Sequence, residues 1–279
     1  GLMTYLEENK LFAKEQHGFV RRKSCATNLL ETLDVVTKSL SDGLAVNVVY
    51  LDFLKAFDMV PHKRLLHKLR GFGLKKELIN WFGSFLSDRR QRVVLGETVS
   101  EWKEVTSGVP QGSVLGPLLF VIFINDLPER FSNGSRLYAD DSKIISVISN
   151  LEEALSLQTD IDALTEWTKD WLMRLNAGKC RVMYFGESNF SKIEYTMDDL
   201  VSGCRIPLEG SCCERDLGVK ISSDLKWKNH ISTIVAKANK VLGMLLKTFT
   251  SRDSELWKML YISLVRPHLE FASTVWNPY

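Results

Sequence analysis

Three aspartates stand at positions where two neighbouring strands can bring their side chains together. Asp52 directly follows the apolar run 46–51, whose β-branched composition is typical of a buried strand. Asp140 and Asp141 lie between two apolar stretches in residues 136–148, a pattern that predicts a β-hairpin with both acids at its tip. Two adjacent acids repel one another unless a cation or water neutralises them.

Each acidic feature has an ordinary explanation when it is taken alone. Asp140 and Asp141 can belong to a polar turn, and Asp52 can cap the end of a strand. Taken together, three carboxylates on neighbouring strand ends can hold two hard cations roughly 3.5–4 Å apart. Such a pair of ions stabilises the attacking and the leaving oxygen of a phosphoryl transfer. The spacing is compatible with this chemistry and leaves the ordinary explanations open.

The elements that must position these acids alternate between helices and short strands. Hydrophobic periodicity predicts helices over residues 27–40, 65–86, 113–127, 151–171, 227–249 and 254–264. Asn150 and Glu153 predict a capping box at the start of the fourth helix. Strands are predicted over residues 46–51, 91–95, 102–106, 181–185 and 217–221, besides the hairpin. The predicted fold class is therefore α+β.

The composition of the 279 residues is that of a globular protein, 45% hydrophobic and 25% charged. The longest apolar stretch, residues 114–124, is too short to span a bilayer, so we predict a buried helix and no membrane partner. The chain does not begin with Met and shows no signal peptide, so we expect a fragment of a larger intracellular protein. Its five cysteines form no C-x-x-C pair and are expected to be reduced thiols. Because the net charge is only +2, a nucleic acid would have to be held by local basic patches.

Three ordered motifs resemble those of reverse transcriptases. The first is LDFLKAFD at residues 51–58, in which an aromatic residue follows the aspartate by five positions. The second is SGVPQGS at residues 107–113, and the third is YADD at residues 138–141, of the Y-x-D-D type. The first motif runs on to VPH and the second continues as PQGSVLGP; these longer forms resemble non-LTR retrotransposons of the LINE type, jockey-like elements in particular.

The resemblance extends over nearly the whole chain. Further motifs similar to those of the family are QHGF and RRKSC at residues 16–25, NAGK at 176–179, LGV at 217–219, KANK with LG at 237–243, and VRPHLE with WNPY at 265–279. Two positions depart from the usual pattern. Leu54 stands where Ser is usual, and Ser142 stands where Thr is usual.

The resemblance implies an RNA-directed DNA polymerase with a right-hand architecture. The fingers are expected at residues 1–45 and 63–106, the palm at 46–62 and 107–225, and a partial thumb at 226–279. Expected partners are an RNA template, a DNA primer and deoxynucleoside triphosphates, in the nucleus and cytoplasm. The expected cofactor is two Mg²⁺ ions, with Mn²⁺ as the alternative, because the proposed ligands are hard oxygens. The implied metal-binding residues are Asp52, Phe53, Asp140 and Asp141.

The family also implies roles for residues around the substrate. Phe57 is either plain core or a steric gate against the 2′-hydroxyl of a ribonucleotide. Gln111 is either a solvated loop residue or, by resemblance, part of the floor under the nascent base pair. Gly108 and Gly112 are either simple turn glycines or positions that let backbone approach a base or sugar closely.

The basic run of Arg21, Arg22 and Lys23 is either a solvated face or, by resemblance, a contact for the incoming triphosphate and the template. Lys179 is either a surface lysine or, by resemblance, a proton donor to pyrophosphate. A second basic cluster is a candidate template contact: Arg89, Arg90 and Arg92.

A basic stripe is predicted on the last long helix, which contains no Asp or Glu from residue 225 to 252. At about 100° per residue, its basic residues fall on one face: Lys226, His230, Lys237, Lys240 and Lys247. The apolar residues of the neighbouring face are expected to pack inward: Ile231, Ile234, Ala238, Leu242, Leu245 and Phe249. This stripe is either a solvated face or a track for duplex phosphates.

Two other functions remain open from the sequence. One is a different template-directed polymerase, such as a viral RNA-dependent RNA polymerase, against which Phe57 and the Tyr138-Ala139 pair argue. The other is a remnant that only binds nucleic acid or has lost function, against which the three intact aspartates argue. The host, the template RNA and the oligomeric state are not indicated by the sequence.

Overall fold

The computed structural model describes residues 1–187, 190, 193–200 and 202–277. The helices in chain order are α1 (Leu2–Glu8), α2 (Cys25–Ser41), α3 (Ala56–Met59), α4 (His62–Gly71), α5 (Lys76–Leu86), α6 (Leu115–Ile124), α7 (Leu151–Trp171), α8 (Lys228–Thr248), α9 (Ser254–Leu260), α10 (Arg266–Glu270) and α11 (Ser273–Trp276). The strands are β1 (Ala45–Leu51), β2 (Arg90–Gln91), β3 (Val94–Leu95), β4 (Thr98–Val99), β5 (Lys103–Glu104), β6 (Gly134–Tyr138), β7 (Asp141–Ile148), β8 (Arg181–Phe185), β9 (Thr196–Asp199), β10 (Cys204–Pro207), β11 (Glu209–Ser211), β12 (Cys213–Asp216) and β13 (Val219–Ser222).

The centre of the fold is a five-stranded sheet in the order β11-β8-β1-β7-β6. Its pairs are antiparallel except for the parallel contact of β11 with β8. β1 lies in the middle, so both of its edges are hydrogen-bonded and its burial is nearly continuous. This explains why residues 46–51 lack the alternation of a half-exposed strand.

The two faces of the sheet are covered by different elements. Val49 and Leu51 point into the larger core, which includes Phe120 and Phe123 of α6 and Trp167 of α7. The alternate residues of β1 point into a second core formed with α2, β13 and α11, because successive side chains of a strand face opposite ways. The mixture of helices and a mainly antiparallel sheet confirms the α+β prediction.

Side-chain caps fix where two of the packing helices begin. The Ser24 hydroxyl accepts a hydrogen bond from the Thr27 amide at 3.2 Å, and the Ser24 amide donates to the Thr27 hydroxyl at 2.9 Å. At α7 the Asn150 side chain accepts from the Glu153 amide at 2.9 Å, as predicted. The Glu153 carboxylate, however, reaches the Ser149 amide and hydroxyl rather than closing the box on Asn150.

Several predicted elements are longer than the observed ones. The helix predicted over residues 65–86 is two helices, α4 and α5, because Gly73 adopts a φ of +73° between them. The apolar run from Val114 is not wholly buried: Val114 is 94% exposed and α6 begins after it. The strands predicted over residues 91–95 and 102–106 belong to one hairpin with its turn at Gly96, but its ladder is split into β2 with β5 and β3 with β4.

The C-terminal region has a small core of its own. Ala238 and Leu245 of α8 pack against Leu260 and Val265, which belong to α9 and to the π-helical turn Tyr261–Val265 after it. That turn replaces the end of the single helix predicted over residues 254–264, and α10 follows it. The strand predicted at 217–221 is β13, displaced by a turn at Leu217 and Gly218. The family-like motif at 276–279 ends in Pro278 and Tyr279, outside the described residues.

No helix among the described residues is both long and apolar enough to cross a bilayer. Each of the five cysteines is a free thiol, and only Cys180 is fully buried. Cys180 lies beside the candidate site, where its sulfur accepts a long hydrogen bond from the Asp52 amide at 3.4 Å.

Candidate active site

The loop between β6 and β7 carries two of the three predicted carboxylates. Tyr138 pairs with Asp141, which leaves Ala139 and Asp140 as a two-residue loop. Ala139 has a φ of +55°, a conformation that residues with a Cβ rarely adopt. The predicted hairpin is therefore confirmed, with both acids at its turn.

Asp52 reaches the same place from the neighbouring strand. Leu51 is paired with Ser142 in the antiparallel ladder of β1 and β7, so the next step of the register places Asp52 beside Asp141. The Asp52 carbonyl accepts a hydrogen bond from the Asn176 amide at 2.8 Å. The chain directly after β1 is thus fixed against the segment that carries Lys179.

Electrostatic coupling shows that the three aspartates share one environment. Burial raises the pKa of Asp140, and the charge of Asp52 raises it further, although a backbone hydrogen bond opposes the shift. Burial, together with the charges of Asp140, Asp216 and Asp52, raises the pKa of Asp141 to about 6, while the charge of Lys143 opposes the shift. Asp141 still borders solvent. Like charges held this close would be relieved by a cation.

The donor set suits a hard divalent cation, although the ligands are not drawn together. Among the described residues, no three His, Cys, Asp or Glu side chains converge as ligands of one ion. The carboxylates of Asp52 and Asp141 nevertheless line a single cleft. Carboxylate oxygens are the ligands that Mg²⁺ prefers. Phe53, predicted as a fourth ligand, has only its carbonyl oxygen to offer.

The cleft beside these carboxylates has a volume of about 140 Å³. Lys179, predicted from the sequence, lines it together with Asp52 and Asp141. The cleft also contains residues that the sequence did not single out: Asn28, Tyr50, Lys143, Glu214, Arg215 and Asp216. Lys143 and Asp216 form a buried ion pair. Lys143 follows Asp141 by two positions, so it projects on the same face of β7. This spacing could have predicted that Lys143 lines the cleft.

Phe57 is both packed and partly accessible. Its ring stacks on the fully buried Phe120 ring, with centroids 4.4 Å apart and planes inclined by 19°. Its carbonyl accepts a hydrogen bond from the Val109 amide at 2.8 Å, which ties the first motif to the second. Because Phe57 is only half-buried, the core and gate interpretations are both compatible with its position.

The second motif is held against the first at Asp58. Gln111 is exposed and its side-chain amide donates to the Asp58 carboxylate at 2.8 Å. A Cβ on Gly108 would lie 2.8 Å from the Asp58 backbone, so this glycine is required by protein packing rather than by a ligand. A Cβ on Gly112 would meet open space, but the φ of +78° there still favours glycine.

The basic run at residues 21–23 does not act as one surface. Arg21 and Arg22 are exposed. Lys23 is half-buried, and its ammonium group donates to the Lys14 carbonyl. Burial lowers the pKa of Lys23, while Glu31 and Glu15 oppose this effect. Lys23 is therefore engaged by its own chain, and the two arginines remain available to a ligand.

The basic residues of the β2–β5 hairpin and of α8 do not line the cleft. Arg89, Arg90 and Arg92 lie at the base of the β2–β5 hairpin, where the Arg92 guanidinium lies 4.6 Å from the centre of the Trp102 ring. Arg90 is not before the strand, as predicted, but within it.

On α8, Lys237, Lys240 and Lys247 are exposed, but the predicted stripe is wrong at two positions. His230 is 1% exposed, and its Nδ1 accepts a hydrogen bond from the Lys220 amide; Lys226 precedes the helix. Ile231, predicted to pack inward, is exposed.

The family model described as reverse transcriptase (RNA-dependent DNA polymerase) matches residues 2–244. The chain therefore belongs to the reverse transcriptase family, as its motifs predicted. Members of this family generally use divalent metal ions and act on a nucleic-acid template and primer. The right-hand polymerase fold expected from the motifs is confirmed by the similarity of this chain to solved telomerase structures.

The similar curated proteins come from non-LTR mobile elements. The RNA-directed DNA polymerase from mobile element jockey of Drosophila funebris is 28% identical over 298 residues, covering 99% of this chain and 31% of that protein. Its counterpart in Drosophila melanogaster is 27% identical over 242 residues, covering 84% of this chain and 26% of that protein. The chain thus spans about a third or less of the length of these relatives.

Solved structures similar to this chain include telomerases. Apo telomerase from Candida tropicalis superposes with a TM-score of 0.57 at 14% identity, covering 98% of this chain and 47% of that one. Telomerase from Candida albicans, in complex with the TWJ fragment of telomeric RNA, gives 0.55 at 11% identity, with coverages of 100% and 48%. At these identities the likeness concerns the fold alone.

Proposed function

We propose that this chain is the polymerase part of a jockey-like, non-LTR retrotransposon protein. It adds deoxynucleotides to the 3′-hydroxyl of a DNA primer on an RNA template and releases pyrophosphate. The observation that carries the proposal is the meeting of Asp52 with the Asp140–Asp141 turn at adjacent strand ends, in a chain that belongs to the reverse transcriptase family.

The carboxylates provide the site for metal. Asp52, Asp140 and Asp141, with the Phe53 carbonyl, would hold two Mg²⁺ ions, and Mn²⁺ is the alternative. When bound, such ions lower the pKa of the attacking hydroxyl and stabilise charge on the leaving oxygen. The raised pKa of Asp141 supports the assignment, because a site built from mutually repelling acids gains most from a cation.

The other residues orient substrate and move a proton. Lys179 lines the same cleft as Asp52, which supports a role for its ammonium group as the proton donor to departing pyrophosphate. Arg21 and Arg22 would bind the triphosphate by bidentate contacts, with Lys23 contributing positive charge behind them. Phe57 would exclude a 2′-hydroxyl, while Gln111 and Gly112 would lie under the nascent base pair.

The subdomains follow from these roles. Fingers at residues 1–45 and 63–106 carry the triphosphate contacts and the template contacts Arg89, Arg90 and Arg92. The palm at residues 46–62 and 107–225 carries the carboxylates. The partial thumb at residues 226–279 presents Lys237, Lys240 and Lys247 to the duplex. Such a protein would work in the nucleus and cytoplasm of its host.

The decisive experiment is primer extension by the purified chain on an RNA template with Mg²⁺. We expect deoxynucleotides to be incorporated in preference to ribonucleotides, and Asp140→Asn to abolish extension. A preference for ribonucleotides would indicate an RNA-dependent RNA polymerase. Duplex binding without extension, unchanged by Asp140→Asn, would indicate a protein that only binds nucleic acid.

A further inference from the structure

The segment before α2 forms an extra edge beside the catalytic hairpin. Gln16 makes an isolated parallel bridge to Leu137 of β6. The Leu137 amide donates to the Glu15 carbonyl at 3.0 Å, and the His17 amide donates to the Leu137 carbonyl at 2.8 Å. This edge brings the Gln16 side chain to the turn that follows β6.

Gln16 binds the backbone of that turn directly. It is 0% exposed, and its Oε1 accepts hydrogen bonds from the Ala139 amide at 3.0 Å and from the Gly18 amide at 2.7 Å. Because both partners are N–H donors, the oxygen of the side-chain amide must face them. Its Nε2 is buried without a hydrogen-bond partner. A buried polar atom without a partner needs an explanation, and the two hydrogen bonds that Oε1 accepts provide one.

The residue that Gln16 holds is the strained one. Ala139 has a φ of +55° and directly precedes Asp140. A residue with a Cβ persists in this region only where its surroundings determine it. Gly18 lets the segment approach closely, because a Cβ there would lie 2.5 Å from the Ala139 nitrogen.

We propose that Gln16 is a positioning residue that holds Ala139 in its left-handed conformation and thereby sets the direction of the Asp140 and Asp141 carboxylates. The inference rests on the proposed function for its catalytic consequence, but its structural part can be measured without activity. Gln16 contacts no reacting atom and acts through the turn.

The test replaces Gln16 with leucine in the full 279-residue chain and measures two quantities. Amide hydrogen exchange at Ala139 should become about tenfold faster, since its acceptor is lost. Mn²⁺ affinity, followed by the electron paramagnetic resonance of free Mn²⁺, should fall by a similar factor, because the ligands no longer share one preferred direction. In extension assays kcat should fall while KM for the nucleotide is retained.

The matched control is Gln158→Leu. Gln158 on α7 accepts from the Thr196 amide and donates to the Thr196 carbonyl, each at 2.9 Å, but does not contact the turn. The Gln158→Leu variant should have a lower thermal stability than the parent, with the same hydrogen exchange at Ala139 and the same Mn²⁺ affinity. Gln16→Glu keeps the acceptor and should keep slow exchange at Ala139. It decides the question if Gln16→Leu does not fold, because fast exchange in Gln16→Glu would overturn the proposal.

Two results would overturn the role of Gln16. The first is unchanged exchange at Ala139 in Gln16→Leu. The second is faster exchange with Mn²⁺ affinity and kcat equal to those of Gln158→Leu, which would make Gln16 a purely structural residue. Equal Mn²⁺ affinity of the parent chain and of Asp52→Asn would instead contradict the proposed polymerase function. In that case hydrogen exchange at Ala139 would still test whether Gln16 holds the turn.

Discussion

Lys143 and Asp216 form an ion pair that is buried between β7 and β12, with relative exposures of 3% and 6%. β12 and β13 form a two-stranded sheet separate from the central one, so this pair links that sheet to the strand that begins with Asp141. Burial lowers the pKa of Lys143, while the charge of Asp216 and its hydrogen bond oppose the shift.

Breaking this pair should destabilise the chain more than replacing it. Lys143→Met leaves the Asp216 carboxylate buried without its partner, at a cost of about 3–5 kcal/mol. The double variant Lys143→Met/Asp216→Leu should recover much of that loss, because no buried charge remains. Urea unfolding of the parent, both single variants and the double variant measures the coupling. Additive losses would show that the two groups do not stabilise one another.

The carboxylates should be dispensable for folding and indispensable for catalysis. Asp52→Asn or Asp140→Asn should lower the extension rate by several orders of magnitude, because a metal ligand is lost. Neither variant should lower the unfolding temperature, since a neutral isostere also relieves like-charge repulsion, which adds to burial in raising the pKa of Asp141. Rates within tenfold of the parent's would contradict the assignment of ligands.

His17 should make stability fall as the pH falls. Burial, then the charge of Lys23, lower its pKa from 6.5 to about 4, although Glu31 opposes them. Between these values the unfolded chain binds a proton that the native chain does not bind. The free energy of unfolding should therefore decrease from pH 6.5 to 4, by up to about 3 kcal/mol from this group. Urea unfolding at pH 7 and 4.5 should show a weaker dependence in His17→Gln. An equal dependence would mean that His17 titrates normally.

The hairpin that carries Asp140 and Asp141 could be predicted because its signals are local. The apolar stretches on both sides of these two acids indicate two strands and the turn between them, and the run before Asp52 indicates a buried strand. The break between α4 and α5 was missed although Gly73 marks it. The apolar pattern continues across that glycine, and the Tyr5 hydroxyl that donates to the Phe72 carbonyl at 3.0 Å lies far away in the chain.

The supporting contacts of the site could not be predicted, because they join distant parts of the chain. Gln16 lies 123 residues from Ala139, and Lys143 lies 73 residues from Asp216. Neither pair has a local pattern that specifies the partner. The burial of His230 could not be predicted from its residue type, because histidines occur both buried and exposed. It precedes the buried Ile234 by one helical turn, and a backbone amide satisfies its ring nitrogen in the buried position.

Sugar selection should separate the two interpretations of Phe57. If its ring forms the gate, Phe57→Val should raise ribonucleotide incorporation relative to deoxynucleotide incorporation. The same change removes the stack on Phe120 and should cost a few kcal/mol of stability. Phe120→Leu is the matched control, because it disturbs the same stack from the buried side. A similar shift in both variants, or in neither, would assign Phe57 to the core.

The exposed lysines of α8 should determine how strongly duplex binding depends on salt. Lys237 borders a cavity of about 240 Å³ together with Arg215 and His268, whereas Lys240 and Lys247 face solvent. Each ammonium group that neutralises one phosphate contributes about 0.9 to the slope of log affinity against log salt concentration. Lys237→Ala, Lys240→Ala and Lys247→Ala should each lower the slope by about one unit, and the Lys237→Ala/Lys240→Ala double variant by about two.

These lysine variants should weaken binding to every duplex sequence equally, because phosphates carry no base identity. Lys169→Ala is the control for loss of a positive charge alone, since Lys169 is exposed on α7 and paired with Asp198 at 3.3 Å. It should leave the slope unchanged. The measurement is fluorescence anisotropy of a labelled RNA–DNA duplex at salt concentrations from about 50 to about 300 mM. Over this range log affinity is expected to fall linearly with log salt concentration. Slopes for the three α8 variants equal to that of Lys169→Ala would show that this face of the helix contacts only water.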